Sequence, residues 1–262
     1  MQLLEDELGV RLLDRTSTGV QMTTAGELLL GFARRSSRLS QQVLAGLAQL
    51  EGQPGGALRL AASTTVAQYL LPRMLGAFRK ENQRIALTVR SGNTEQVTAW
   101  VLQGEAQLGM VEGPPASKEV AIEHFLEDKL TMIVPRDHRW AGKEIPPARL
   151  TQVPFLLREA GSGTRRVIER ALRKAGVRLS QLNIAMELDS TEAIVSGVEA
   201  GLGVGIVSEL ALRKALRLGT VATVKIEGLE MRRPFSLIRL RGPVEAGPVA
   251  AFRNFAMSHD RD

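Results

Sequence analysis

The sequence predicts an α/β protein of two lobes, preceded by a short helix, a small hairpin and a long helix. Three observations support this fold class. Apolar segments of strand length alternate with helical segments from residue 57 onward, a pattern typical of largely parallel sheets. A helical apolar stripe covers residues 24–50 before that point. The length of 262 residues is enough for one large or two medium domains.

Composition excludes several classes of chemistry. The chain has no cysteine, which rules out disulfides, thiolate zinc sites, iron–sulfur clusters and cysteine nucleophiles. His124, His138 and His259 are too few and too dispersed for a histidine metal centre, so we expect no metal and no cofactor. No segment approaches the roughly 20 apolar residues of a membrane span, and the acidic N-terminus lacks a secretory signal pattern. These features predict a cytoplasmic protein without a membrane partner.

The net charge of +6 raises the question of nucleic acid. Residues 1–56 hold five arginines against six acidic residues, so the basic excess lies in the remainder of the chain. Such an excess is more often a solvated surface than a groove for DNA. Few aromatic residues are present, which disfavours stacking platforms for single strands. Charge alone therefore does not identify the partner.

The N-terminal segment predicts a short helix and a hairpin. Residues 2–8 place Leu3, Leu4 and Leu8 on one helical face, and Gly9 ends the helix. Two apolar stretches, Val10–Leu13 and Val20–Met22, then flank the turn sequence RTSTG. The pattern would suit any small hairpin.

A long helix follows, and Thr24 with Glu27 has the spacing of a capping box at its start. Its apolar stripe needs a partner surface, because no second helix of similar length lies nearby. Dimerisation through the stripe is the favoured interpretation, and packing on its own domain is the alternative. Residues 52–56, with Pro54, predict a hinge. The stripe consists mainly of Leu29, Phe32, Leu39, Val43 and Leu47.

The remainder alternates strands and helices in two runs. Predicted strands are LRLAAS, IALTVRSG, AQLGMVEG, LTMIVP, VPFLLRE, NIAMELDS, GVGIVS, TVKIEG and FSLIRLR. Predicted helices are TTVAQYLLPRMLGAFRKEN, TEQVTAWVLQG, TRRVIERALRKAG and TEAIVSGVEAG. We expect lobe I to comprise about 57–113 and 206–262, and lobe II about 120–205, with a cleft between them.

Hydroxyl clusters recur where predicted strands pass into helices. They are Ser63-Thr64-Thr65, Ser91-Gly92-Asn93-Thr94, Gly161-Ser162-Gly163-Thr164 and Ser190-Thr191. Helix N-termini bind anions through free backbone N–H groups, and ligands of open α/β sheets collect at these strand ends. Each cluster alone is explained by helix capping, but four equivalent clusters favour a pocket for a small polar or anionic molecule. Arg165 either contacts such a ligand or is solvated.

Catalytic patterns are missing from the sequence. Gly201 to Gly205 lacks the spacing and position of a dinucleotide fingerprint, and no Gly-Lys-Ser/Thr follows Gly161-Ser162-Gly163. Asp189 and Glu192 do not make a convincing carboxylate pair. We therefore predict no catalytic residue.

The segment LLEDELGVRLLDRTSTGVQMTTAGELLL resembles LysR-type transcriptional regulators, whose pattern is close to LE-x-x-LG-x-x-LF-x-R…LT-x-AG. LRLAASTTVAQYLLPRMLGAF, SGNTEQVTAWVLQGEAQLGMVEG and AIVSGVEAGLGVGIVSELAL resemble the effector domain of that family. The resemblance covers essentially the whole chain, with Leu13 in place of the usual Phe and Met22 in place of Leu. The matching residues of the first segment are Leu4, Glu5, Leu8, Gly9, Leu12, Arg15, Thr23, Ala25 and Gly26.

The resemblance implies a winged helix-turn-helix remnant over 1–23, a linker and dimerisation helix over 24–51, a hinge over 52–56 and a two-lobed, periplasmic-binding-protein-like (type 2) effector domain over 57–262. It implies promoter DNA, a small-molecule effector and a second copy of the chain, as dimer or tetramer, for partners. The effector residues that match the family are Ser63, Thr65, Thr94, Ser162 and Thr164. Their clusters hold no acidic residue, so we expect a small carboxylate, phosphate or inorganic anion.

One departure from the family concerns the start of the chain. The sequence begins at what resembles the tail of the recognition helix, so the base-reading residues of the family are not in it. The remaining wing would contact phosphates without specifying a sequence, through Arg11, Arg15, Thr16 and Thr18. We expect a fragment or a misplaced start rather than a natural truncation. The alternatives to a transcriptional regulator are an effector-binding protein without sequence-specific DNA binding and, disfavoured, an enzyme such as a dehydratase.

Overall fold

The computed structural model describes residues 1–17, 19–50, 55–115, 117–242 and 247–258. Within these residues the helices are α1 (Gln2–Leu8), α2 (Thr24–Leu50), α3 (Leu71–Glu81), α4 (Thr94–Leu102), α5 (Gly163–Lys174), α6 (Thr191–Glu199), α7 (Glu209–Leu218) and α8 (Pro248–Ser258). The strands are β1 (Leu13–Thr16), β2 (Gly19–Met22), β3 (Gly56–Ser63), β4 (Ile85–Gly92), β5 (Leu108–Glu112), β6 (Val120–Pro135), β7 (Glu144–Ile145), β8 (Pro154–Arg158), β9 (Asn183–Leu188), β10 (Val204–Ser208), β11 (Val221–Ile226) and β12 (Met231–Leu240). A π-helical segment, Val66–Leu70, leads into α3.

The N-terminal helix and hairpin form as predicted, with one shift in register. Gly9 ends α1 in the left-handed conformation, with φ of 67°. The first strand is Leu13–Thr16 instead of Val10–Leu13, and it pairs antiparallel with β2. The reason is a local hydrogen bond: the Glu5 carboxylate accepts from the backbone N–H of Leu12 at 2.7 Å, which ties the preceding residues to α1. The hinge residues 52–54 lie outside the described part of the chain.

Helix α2 extends to Leu50 as predicted, but its cap is the residue before the one expected. Thr23, not Thr24, accepts the backbone N–H of Gly26 at 3.0 Å, because the capping residue must precede the first helical turn. The apolar stripe faces solvent: Phe32 is 63% exposed and Leu39 59%. Neither α2 nor any other helix of the described ranges is long and apolar enough to cross a membrane.

The strand–helix alternation after residue 57 is confirmed, and the strands join one mixed sheet. Its order is β4-β3-β5-β12-β6-β10-β8-β9, with β11 pairing with β6 and β7 pairing with β11. The sequence patterns do not predict β7, α7 or α8. The buried face of α7 includes two alanines beside Leu212, which weakens the apolar pattern in the sequence. Strand β6 begins at Val120, ten residues before the predicted segment, because its first half alternates buried and solvent-facing side chains.

The two largest of the four hydrophobic cores in the described residues both include side chains of β6 and β12. One core contains Phe78 and Phe252 and the other contains Trp140 and Phe155. Strands β6 and β12 pair with each other along the length of β12. In addition, β12 pairs with β5 of lobe I, and β6 pairs with β10 and β11. Because β11 packs with the second core, we propose that lobe II extends to about residue 230 rather than ending at 205.

Candidate functional site

Helix N-termini from both lobes converge on the cleft. Thr65 precedes the π-helical segment, Thr94 starts α4, Thr164 lies in the first turn of α5, Thr191 starts α6 and Ser208 caps α7. All five side chains are buried. A helix N-terminus carries the positive end of the helix dipole, so the convergence of these ends favours negative charge in the cleft. Four of these termini belong to the hydroxyl clusters of the sequence.

A buried carboxylate, Glu112, lies where the hydroxyls meet. Ser63 donates a hydrogen bond to one of its oxygens, and Thr65 donates to the other at 3.1 Å. Thr164, from the other lobe, donates to the same oxygen as Thr65 at 3.3 Å. Glu112 is 1% exposed and ends β5, so its position follows from the strand. Three of the five expected effector residues therefore contact one acidic side chain.

Thr94 and Ser162 have different partners. Thr94 donates to the backbone carbonyl of Glu112 at 3.1 Å. Ser162 caps α5 by accepting the backbone N–H of Arg165 at 3.4 Å. The next residue, Gly163, packs so closely that an added Cβ would lie 1.9 Å from the carbonyl oxygen of Glu112. A glycine is therefore required where α5 of one lobe meets β5 of the other.

A buried arginine, Arg233, lies beside the Glu112 carboxylate. It is 1% exposed and donates to Thr164 at 2.7 Å and to Asp128 at 2.7 Å, while its Nη1 lies 3.5 Å from a Glu112 oxygen. Asp128 also accepts a hydrogen bond from Ser208 at 2.6 Å. Burial raises the pKa of Asp128 above its ordinary value, and the charge of Arg233 opposes that shift. The cleft thus contains two carboxylates and one guanidinium in contact.

A second buried arginine, Arg158, connects the lobes. Its guanidinium donates to Thr191 at 3.1 Å and to Thr64 at 3.0 Å, and these two hydroxyls belong to different lobes. Glu159 neutralises its charge through a pair of hydrogen bonds. Arg158 ends β8, so a strand end again supplies the polar group.

Direct contacts between lobes close the cleft. The hydroxyls of Thr65 and Thr191 are 3.0 Å apart, and Tyr69 donates to the carboxylate of Glu192. Burial, and then the hydrogen bond to Glu192, raise the pKa of Tyr69 well above its ordinary value. Arg165 pairs with Glu169 and Glu187 and its side chain is only 20% exposed, so it is not the solvated residue of the second alternative.

The expectation of a carboxylate-poor lining is wrong. The hydroxyl clusters themselves contain no acidic residue, but Glu112 of β5 and Asp128 of β6 reach the cleft. A signal was present in the sequence, since Glu112 is a single charged residue in an otherwise apolar strand. In the described part of the chain no group of three acidic or histidine side chains is placed to hold a metal ion.

The residues expected at the DNA and dimer surfaces lie outside the effector domain. Arg11, Arg15 and Thr16 are exposed at the hairpin, and Thr18 lies outside the described residues. The stripe residues Leu29, Phe32, Leu39, Val43 and Leu47 are partly or fully exposed along α2. His124 contacts Ser236, and His138 packs on Trp140, while His259 is not described.

Comparisons with known proteins extend over nearly the whole chain. The family model described as LysR substrate binding domain matches residues 51–261. The RuBisCO operon transcriptional regulator of Allochromatium vinosum is 32% identical over 256 residues, which is 97% of this chain and 83% of that protein.

Solved structures of other proteins share this fold. The regulatory domain of CcmR from Synechocystis PCC6803, in complex with 2-PG, is similar with a TM-score of 0.72 and 28% identity over 79% of this chain and 98% of that one. Full-length CbnR, complexed with its target DNA, is similar with a TM-score of 0.69 and 25% identity over 99% of this chain and 88% of that one. The two-lobed fold is therefore that of effector-binding domains.

Proposed function

The chain belongs to the LysR-type transcriptional regulators, and from that premise we propose that its activity responds to a small anion bound in the interlobe cleft. Proteins of this family bind promoter DNA and small-molecule effectors, and the relatives are named as regulators rather than enzymes. One observation carries the proposal: hydroxyls of both lobes converge on a buried position that already holds a carboxylate group.

The chemistry of the cleft supports the anionic class. Hydroxyl donors, helix N-termini and the Arg233 guanidinium are the groups that bind carboxylates and phosphates in proteins. A relative with 28% identity was solved with 2-PG, which is 2-phosphoglycolate and carries both groups. Ser63, Thr65, Thr94 and Thr164 are the proposed effector contacts, and Ser162 is proposed to act through its cap on α5.

Binding in the cleft would change the relation between the lobes, since the same hydroxyls join them. We place the wing residues Arg11, Arg15, Thr16 and Thr18 on DNA phosphates and the α2 stripe in a dimer or tetramer. A protein of this kind acts where promoter DNA lies, and we propose a cytoplasmic location.

Calorimetric titration tests the proposal. The full chain is titrated with 2-phosphoglycolate, with inorganic phosphate and with glycolamide, a neutral molecule of similar size. We expect saturable binding of at least one anion and none of glycolamide. Tighter binding of the neutral molecule, or the absence of binding by either anion, would contradict an anionic effector.

A further inference from the structure

We propose that the carboxylate of Glu112 occupies the anion position of the cleft, and that an anionic effector binds by replacing it on the same donors. This inference rests on the proposed function. It means that the Glu112 side chain competes with the effector for the same hydrogen-bond donors and thereby sets the affinity for the effector. The residue is not among those expected from the sequence.

The contacts of Glu112 are those that a small carboxylate would receive. One oxygen accepts from Ser63 and the other from Thr65 and Thr164, with the Arg233 guanidinium 3.5 Å away. The donors come from both lobes, so the side chain joins them as a bound anion would. Because each hydroxyl has a single proton to donate, these donors cannot serve Glu112 and an incoming anion together.

Charge leads to the same conclusion. Arg233 is the cation in contact with Glu112, and it is already paired with Asp128 at 2.7 Å. A further anion at this place would put three negative groups around one guanidinium, at a position that is almost free of solvent. Like charges in close, desolvated contact repel strongly, so the Glu112 carboxylate must leave for the anion to bind.

The backbone of Glu112 restricts how the residue leaves. Strand pairing holds it opposite Phe235, Thr94 binds its carbonyl, and the backbone N–H of Gly113 donates to Pro234 at 3.1 Å. Replacement is therefore a rotation of the side chain and not a movement of β5. Gly163 packs closely against the same carbonyl, which further restricts the backbone at Glu112.

The first experiment removes the carboxylate and supplies a free one. Glu112→Ala removes the carboxylate that accepts from Ser63, Thr65 and Thr164. We therefore expect a lowered melting temperature that acetate restores saturably and acetamide does not. Glu123→Ala is the matched control, because Glu123 also pairs with arginine but lies outside the cleft. Equal responses of the two variants to acetate, or no response of Glu112→Ala, would overturn the inference.

The second experiment keeps the shape of the Glu112 side chain and removes its charge. It remains informative if the alanine variant does not fold. We expect Glu112→Gln to bind 2-phosphoglycolate at least about tenfold more tightly than the wild-type chain in calorimetry. Weaker binding by Glu112→Gln would mean that Glu112 contacts the effector directly, and equal binding would mean that the effector lies elsewhere. Both outcomes overturn the inference. The first leaves the proposed cleft site in place, whereas the second removes the effector from the cleft and leaves only its anionic class.

The two failures are distinguishable. If acetate restores Glu112→Ala but neither the wild type nor Glu112→Gln binds 2-phosphoglycolate or phosphate, the anion position exists and the proposed effector class is wrong. The opposite result is that anions bind, acetate does not stabilise Glu112→Ala, and Glu112→Gln binds as the wild type does. In that case the effector is an anion, but Glu112 does not compete with it.

Discussion

The hydroxyl oxygens of Thr65 and Thr191 lie 3.0 Å apart, although the two residues are 126 positions apart in the chain and belong to different lobes. Thr65 also donates within the cleft to Glu112 at 3.1 Å. One side chain therefore contacts both the opposite lobe and the buried carboxylate. This double contact makes Thr65 the most informative of the hydroxyls to alter.

Thr65→Ala should weaken the binding of 2-phosphoglycolate by roughly tenfold or more, because a hydrogen bond to a charged ligand contributes about 1.5–3 kcal/mol. Thr88→Ala, at an exposed threonine of β4, is the control and should bind as the wild type does. Ser162→Ala, in contrast, should lower the free energy of unfolding by about 1 kcal/mol through the lost cap. Calorimetry and thermal melts on the same three proteins separate these effects, and unchanged affinity in Thr65→Ala would place the effector elsewhere.

Tyr69 and Glu192 should be energetically coupled across the cleft. Double-mutant analysis with Tyr69→Phe and Glu192→Gln is expected to give a coupling free energy of about 0.5–1 kcal/mol, because the hydrogen bond is partly accessible to solvent. Urea denaturation of the four proteins measures it. Strictly additive effects would show that the two side chains do not stabilise the closed arrangement.

The exposed stripe of α2 should hold two copies together. Leu39→Asp would bury an unpaired charge in such an interface and should dissociate it, whereas Ser37→Asp, off the stripe, should not. Sedimentation velocity at micromolar concentration distinguishes the two variants. A monomeric wild-type chain under these conditions would refute this assembly.

The hairpin should contribute salt-dependent contacts with DNA. Arg15→Ala is expected to weaken binding to duplexes of any sequence about equally and to reduce the salt slope by about 1. Arg149→Ala, at an exposed position of the effector domain, serves as the control. Fluorescence anisotropy at several salt concentrations provides the measurement. An unchanged slope in Arg15→Ala would remove the hairpin from the DNA interface.

Acid should abolish the contribution of the Glu123–Arg253 pair. The hydrogen bond from Arg253 holds the pKa of Glu123 below its ordinary value of 4.5. A carboxyl with a lowered pKa stabilises the fold above about pH 4.5 and loses this effect as pH falls through its folded pKa. Glu123→Gln should therefore be less stable than the wild type at pH 7, by up to about 1 kcal/mol, and equally stable in acid. Denaturation curves over this pH range test the sign, and a difference that grows in acid would contradict it.

Local chemistry predicted the parts of the site that depend on neighbours in sequence. Thr94 and Thr164 lie at helix starts, as predicted, because hydroxyls before or within a first helical turn follow the rules for helix starts. The alternation of strands and helices likewise predicted β3 to β5 and α4 to within a few residues.

The carboxylates of the cleft depend on distant pairing and were missed. Asp128 and Arg233 are 105 positions apart in the sequence. They are in contact because β6 and β12 pair in the folded sheet. Nothing next to Asp128 in the chain distinguishes it from an ordinary surface acid. Distant pairing also explains why the first half of β6 was missed. Its side chains alternate between buried and solvent-facing positions, and this half pairs with β12 only in the folded sheet.

Within the described residues, the chain passes from one lobe to the other along β6 and β12, which form an antiparallel ribbon with a bulge between Phe235 and Ser236. Sliding one strand past the other would break the ladder and reverse which faces are buried, whereas twisting about the long axis preserves every pair. The pairing of this ribbon is therefore compatible with a twist of one lobe relative to the other, but not with a sliding movement. We expect an effector that replaces Glu112 to turn lobe II about this axis, relative to lobe I and to α2, which precedes β3.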